Sequence, residues 1–186
     1  MAKESAKTLP AETSTRGLVE VFTGDGKGKT LAALGVALRA LGQGFCVHIV
    51  FFMKGDFPYG EQKILSELSN CTVERFGFRD FVDPANVKPE EKEEARKALE
   101  AGRKAMLSPK YDVVILDEVN VAVAWKLIDV DDVIKLVHDK PENVELVLTG
   151  RYADPKLIKL ADLVTDMVKV KHPYDKGILS RKGIDY

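Results

Sequence analysis

Residues 23–30 read TGDGKGKT, directly after the apolar run LVEVF (18–22) and overlapping the start of KTLAALGVALRALG (29–42). That is the setting a phosphate-binding loop needs: a strand, a glycine-rich turn and a helix opening on Lys-Thr. The usual pattern, G-x-x-x-x-G-K-[ST], asks for glycine where this chain has Thr23, and the chain offers Gly24, Gly26 and Gly28 instead. Glycines let the backbone turn its N–H groups toward one point, and the helix N-terminus adds partial positive charge. Lys29 adds a cation, and Thr30 a hydroxyl suited to Mg2+. Lys27 either touches phosphate or faces water. A glycine-rich turn with solvated lysines is the plain alternative, and the coincidence of strand, G-K-T and helix weighs against it.

Outward from the loop, short β-branched runs alternate with helical patterns. The runs at 18–22, 45–52 (FCVHIVFF), 71–76 (CTVERF), 113–117 (VVILD), 144–149 (VELVLT) and 162–170 (DLVTDMVKV) read as strands. The stretch 29–42 reads as a helix ending at Gly42, and YGEQKILSEL (59–68) as a shorter one. Between Pro89 and Leu107, Ala95, Ala98, Leu99, Gly102 and Met106 share one face, while Glu93/Lys97 and Glu100/Lys104 are spaced to pair on the other. Strands separated by helices predict an α/β fold: a mostly parallel sheet flanked by helices, in one domain over 18–186. Residues 1–17 are polar and form either a tail or an arm that orders over a ligand or partner.

Composition narrows the function classes. With 186 residues, 45% hydrophobic, the chain can bury one substantial core. A net charge of -1 lacks the basic footprint of a nucleic-acid binder, so an anion must be gripped locally. Cys46 and Cys71 have no metal-ligand or disulfide spacing, which fits a reducing, cytoplasmic setting. No apolar run suits a signal peptide or a membrane span. His48, His138 and His172 share no ligand spacing, Cys46 reads as core, and Trp125 as packing.

Two further strand ends carry chemistry. VVILDE (113–118) closes on Asp117 and Glu118, as does the strand that supplies a magnesium-holding acid in P-loop enzymes. TGR (149–151) puts Arg151, a permanent and bidentate cation, at the same carboxyl edge, where ligands of open α/β sheets bind. These anchors imply a magnesium nucleotide but no particular reaction.

The joint pattern is more specific. TGDGKGKT, FMKGDFPYGE (52–61), LDEVN around Glu118, TGR, VKHPYDKG (170–177) and RKGIDY (181–186) together resemble the P-loop type of corrinoid adenosyltransferases, from Gly17 to Tyr186. The resemblance implies that ATP is held in the reverse of the usual P-loop direction. Reduced cobalt of a corrinoid attacks the ribose 5′ carbon, and triphosphate leaves. It further implies that Gly24, Asp25, Gly26, Lys27, Gly28, Lys29 and Thr30 cradle the phosphates. Thr30 and Glu118 would hold Mg2+, with Lys29, Glu118 and Arg151 as the catalytic set; Arg39 would contact the nucleotide, and Asn120 would support Glu118. In relatives, aromatic residues press on the lower corrin face; here Phe78 matches the first. The common tryptophan position holds Asp80, with Phe81 one residue on, so Phe78 and Phe81 are the candidates, ordinary packing being their alternative. A reductant protein such as a flavoprotein, a homodimer and an arm covering the corrinoid are also implied. A kinase or NTPase would share the loop and acids, and a corrinoid carrier would bind both ligands without turnover.

Overall fold

The computed structural model of the chain describes residues 16–186, so the arm expected over 1–17 lies almost wholly outside the described residues. Gly17, within that arm's expected range, is buried, its N–H donating to Glu142 O at 2.6 Å. The elements run β1 (Val19–Thr23), α1 (Lys29–Gly42), β2 (Val47–Phe51), α2 (Gly60–Glu67), β3 (Cys71–Arg75) and α3 (Pro89–Leu107). They continue with β4 (Val113–Asp117), α4 (Val119–Ala124), α5 (Val130–His138), β5 (Glu145–Thr149), α6 (Pro155–Leu160) and β6 (Leu163–Asp166). A 3-10 turn follows at Pro173–Lys176.

All six strands pair in parallel, in the order β3-β2-β4-β5-β1-β6. Alternate residues of the central strands face opposite layers. Val114 and Leu116 pack with Val21, Leu146 and Leu148 under α3, α4, α5 and α6. Val113 and Ile115 pack with Ile49, Phe51 and Val147 under α1 and α2. With both faces covered, VVILD is apolar throughout rather than alternating.

Local chemistry sets the helices. In α1, Ala33 and Ala37 are one turn apart and fully buried, letting the helix lie close to the sheet. Pro89 opens α3, and the Glu91 carboxylate accepts from the Lys88 N–H at 2.8 Å. The outer face of α3 pairs differently from the expected i,i+4 set: Arg96 bonds Glu93, and Lys97 bonds Glu94 at 2.9 Å. Asp129 and Asp154 cap α5 and α6 through Asp131 N–H at 2.9 Å and Lys156 N–H at 2.8 Å. The run at 162–170 is a strand only to Asp166, because Met167 turns onto the glycine loop. Cys71 is the buried cysteine and Cys46 only half-buried, correcting the expectation for Cys46; Trp125 packs against the core.

Candidate active site

The carboxyl ends of β1, β5, β4 and β2 lie side by side, and each is followed by positive φ: Gly24 (95°), Gly150 (127°), Glu118 (67°) and Met53 (55°). Left-handed backbone at a residue with a Cβ costs about 1–3 kcal/mol and persists only where neighbours over-determine it. Glu118 meets that condition. Its N–H donates to Thr149 Oγ1 at 3.0 Å, and its carbonyl accepts from Ala122 N–H at 3.0 Å. The Thr149 hydroxyl in turn donates to Asp117 Oδ1 at 2.7 Å, and both of those residues are buried. A Cβ at Gly150 would stand 2.9 Å from Val121 N, so β5 must end in glycine there. Buried Asn120 turns its amide to Gly150 O at 3.5 Å, not to Glu118.

The glycine loop lies against residues 166–168. Gly26 N–H donates to Met167 O at 2.6 Å, and Met167 N–H to Thr23 O at 2.9 Å. Thr23, where the usual pattern has glycine, is buried and accepts from Ala153 N–H at 3.2 Å, which ties the loop to the end of β5. Lys29 is buried, its ammonium donating to Gly24 O at 2.8 Å and Gly26 O at 2.7 Å. An ammonium has three donors, so one remains for an anion. Lys27 is exposed, and its ammonium bonds the Asp185 carboxylate and Ile184 O, so these two residues lie along the loop.

Charges of both signs converge here. Burial, then Arg151, pushes the Lys29 ammonium below its ordinary value, against Glu118, Asp25 and Asp117. Burial, then Asp117, raises Glu118, against Lys54, Lys29 and Arg151. Exposed Arg151 thus joins Lys29 and Glu118 at one edge, as their positions at strand ends predict. Lys54 is the residue that sequence reasoning missed. Lys54 lies three residues past β2, with its ammonium 2.6 Å from Asp117 Oδ2 and 3.4 Å from Thr30 Oγ1. Burial alone would lower its pKa, but Asp117 and Glu118 outweigh that and hold it raised. The FMKG segment carried this signal: a lysine just past a strand end.

The donor set fits Mg2+. The Glu118 carboxylate has no hydrogen-bond donor among the described residues, while burial penalises its charge and cations surround it. A cation shared with the Thr30 hydroxyl would relieve that penalty. No group of three or more His, Cys, Asp or Glu forms an all-protein cage among the described residues. Mg2+ commonly takes one or two carboxylates, with phosphate oxygens and water completing six.

Beside the loop stands an aromatic group. Phe57 centres on Tyr59 at 4.8 Å, Tyr186 at 5.3 Å and Phe81 at 6.3 Å. Phe81 is 82% exposed and Phe78 47%, so neither is ordinary core packing. Arg39 is not brought to this edge. It lies exposed in the last turn of α1, facing Glu20 near the start of β1.

A parallel sheet with a glycine turn into a helix and an acid-tipped strand one place removed from the loop strand defines a P-loop nucleotide-binding protein of the α/β class. Within that class, the chain belongs to the ATP:corrinoid adenosyltransferase BtuR/CobO/CobP family, which matches residues 15–186. It is 34% identical over 185 residues to the corrinoid adenosyltransferase of Escherichia coli K12, covering 99% of this chain and 92% of that one. The corrinoid adenosyltransferase CobA of Salmonella typhimurium LT2 is 35% identical over 175 residues, covering 92% and 86%. A Sinorhizobium corrinoid adenosyltransferase is 33% identical over 191 residues, covering 100% and 89%.

Proposed function

We propose that this chain transfers the 5′-deoxyadenosyl group of MgATP to the reduced cobalt of a corrinoid and releases triphosphate. The observation that carries the reading is the pairing of a cationic cradle with an uncovered aromatic group on one sheet edge. Lys29, Arg151 and the loop surround the place for a polyphosphate, and beside it Phe57, Phe81 and Tyr186 form a tilted aromatic cluster, with Phe78 exposed three residues before Phe81. The cobalt lone pair forms the Co–C5′ bond as the C5′–O5′ bond breaks, and that electron pair leaves on triphosphate. Negative charge therefore grows on the leaving group. Lys29, held by two loop carbonyls, would meet that charge with little reorganisation, and Arg151 at the same edge would add a second cation. Mg2+, held by Glu118 and Thr30, would neutralise part of the same charge. Phe78 and Phe81 cover the lower corrin face and exclude an axial ligand.

A loop that binds a leaving group need not place a γ-phosphoryl for attack, which accommodates Thr23 and the Gly26 N–H turned to Met167. The same reading gives a cytoplasmic homodimer served by a reductant protein such as a flavoprotein. Two free cysteines fit a reducing compartment, and no helix among the described residues is long and apolar enough to cross a membrane. The test is an anaerobic reaction with ATP, Mg2+, a chemical reductant and cob(II)alamin, followed by absorbance and ion chromatography. Adenosylcobalamin and triphosphate are expected in equal amounts. Orthophosphate or diphosphate without triphosphate would favour a kinase or NTPase, and binding of both ligands without a Co–C bond would favour a carrier.

A further inference from the structure

The buried ion pair between β2 and β4 does more than close the core. Lys54 follows β2 and reaches the start of the loop helix: its Nζ is 2.6 Å from Asp117 Oδ2 and 3.4 Å from Thr30 Oγ1. Its side chain is only 10% exposed, and its ammonium rests 5.4 Å from the Phe51 ring centre and 5.0 Å from that of Tyr59. The backbone beneath is fixed. Lys54 N–H donates to Phe76 O at 3.1 Å, and a Cβ on Gly77 would stand 2.8 Å from Met53 Cα, so the two loops press backbone to backbone. A long lysine stem held this way loses little freedom on meeting an anion.

Each Asp117 oxygen already has a partner: Oδ2 takes Lys54, and Oδ1 takes the Thr149 hydroxyl at 2.7 Å. Glu118, one residue on, receives no hydrogen bond on its carboxylate among the described residues. Two adjacent acids thus have different tasks.

We propose that Lys54 is a second fixed cation for the triphosphate end of the nucleotide, binding beside the Thr30 hydroxyl, and that its pairing keeps Asp117 out of the metal's coordination. This rests on the adenosyl-transfer reading in taking triphosphate as the ligand. With Lys29 following β1 and Lys54 following β2, the polyphosphate is held from beyond two strands rather than one. The alternative is that Lys54 serves only as counter-ion to Asp117.

Calorimetric titration of the full chain with inorganic tripolyphosphate in chelator separates the two. Lys54→Met alone would leave Asp117 buried without its partner and can unfold the protein, so the comparison is Asp117→Asn against Lys54→Met/Asp117→Asn, in which the pair is neutral. If Lys54 binds phosphate, the double variant binds tripolyphosphate at least about tenfold more weakly than Asp117→Asn, the loss of one charge-assisted contact. Equal affinity of the two variants would overturn the proposal. Repeating the titration against Mg2+ tests its second half: Glu118→Gln should raise the Mg2+ needed for half-maximal effect about tenfold, and Asp117→Asn less than threefold. The reverse order would make Asp117 the ligand. A wild-type chain that binds tripolyphosphate through Lys54 yet forms no Co–C bond would sink the adenosyl-transfer reading and leave Lys54 in place. Adenosylation with binding indifferent to Lys54 would do the opposite.

Discussion

Thr149→Val removes one hydroxyl and keeps the shape of the side chain. That hydroxyl joins two acids: it donates to Asp117 Oδ1 at 2.7 Å and accepts from Glu118 N–H at 3.0 Å, at a fully buried residue. A hydrogen bond to a charged group is worth about 1.5–3 kcal/mol, and a buried N–H left without an acceptor costs about 1–3 kcal/mol. The two effects share one atom and overlap, so a loss of about 3–4 kcal/mol is expected. With a urea slope of about 2–3 kcal/mol/M, the unfolding midpoint should fall by about 1–2 M. The left-handed Glu118 also loses one of its two backbone tethers, so turnover should fall more than stability alone explains at temperatures where the variant is still folded. Thr149→Ser keeps both bonds and should retain turnover, with only the loss of a buried methyl to register. Urea melts followed by circular dichroism, beside initial adenosylation rates, provide the check. A Thr149→Val midpoint within about 0.3 M of wild type would refute the idea that this hydroxyl holds the two acids in place.

Lys29→Ala and Glu118→Gln should each lower adenosylation by about 10²-fold or more, since each removes a preorganised charge at the leaving group or its metal; near-normal initial rates in either would place the nucleotide elsewhere. Gly24→Ala should abolish nucleotide binding, because φ is 95° and a Cβ would press on Asp166 and stand 2.7 Å from Met167 N; fluorescence titration with an ATP analogue checks this. Phe81→Ala should raise the KM for corrinoid while leaving ATP affinity unchanged, as the ring is exposed beside the loop and touches none of its charged groups. Glu20 is raised from 4.5 to about 7 by burial and then by its contacts with Glu145, against Arg39. Folding therefore tightens its hold on the proton, so its stabilising effect is complete below about pH 4.5 and is lost as pH rises through about 7. Glu20→Gln should flatten the fall in urea midpoint across that window, and an unchanged slope would reject the assignment.

What could be read from the sequence was whatever depends on local pattern. The TGDGKGKT turn, the acids ending VVILDE and the arginine of TGR each follow a strand, and a parallel sheet places all three at one edge. The order of strands was not legible, because apolar strands buried on both faces carry no register of their own. The partners of the lysines were hidden for a related reason. Lys29 turns to Gly24 and Gly26, Lys27 to Asp185, and Lys54 to Asp117, two of them across long sequence separations that no spacing encodes. Arg39 shows the same limit from the other side: its helix begins at the loop, but the residue lies near its far end, where it faces Glu20. Met167 was read as part of a strand because its neighbours are β-branched, while its carbonyl serves the loop instead.

The seat of β1 between β5 and β6 bears on how the molecule is made. Val19 pairs opposite Leu146 and Glu20 opposite Leu163, so β1 has no partner until the fifth strand has emerged. By contrast, β2, β3 and β4 pair among themselves and can assemble early. At roughly 5–20 residues per second, β1 and the loop behind it wait on the order of ten seconds, and pairing at such separation is slow in itself. The phosphate loop is thus synthesised well before the strands that complete it. A nascent or C-terminally truncated chain that stops before β5 can fold a partial sheet but cannot grip ATP, so nucleotide binding reports that synthesis has passed β5.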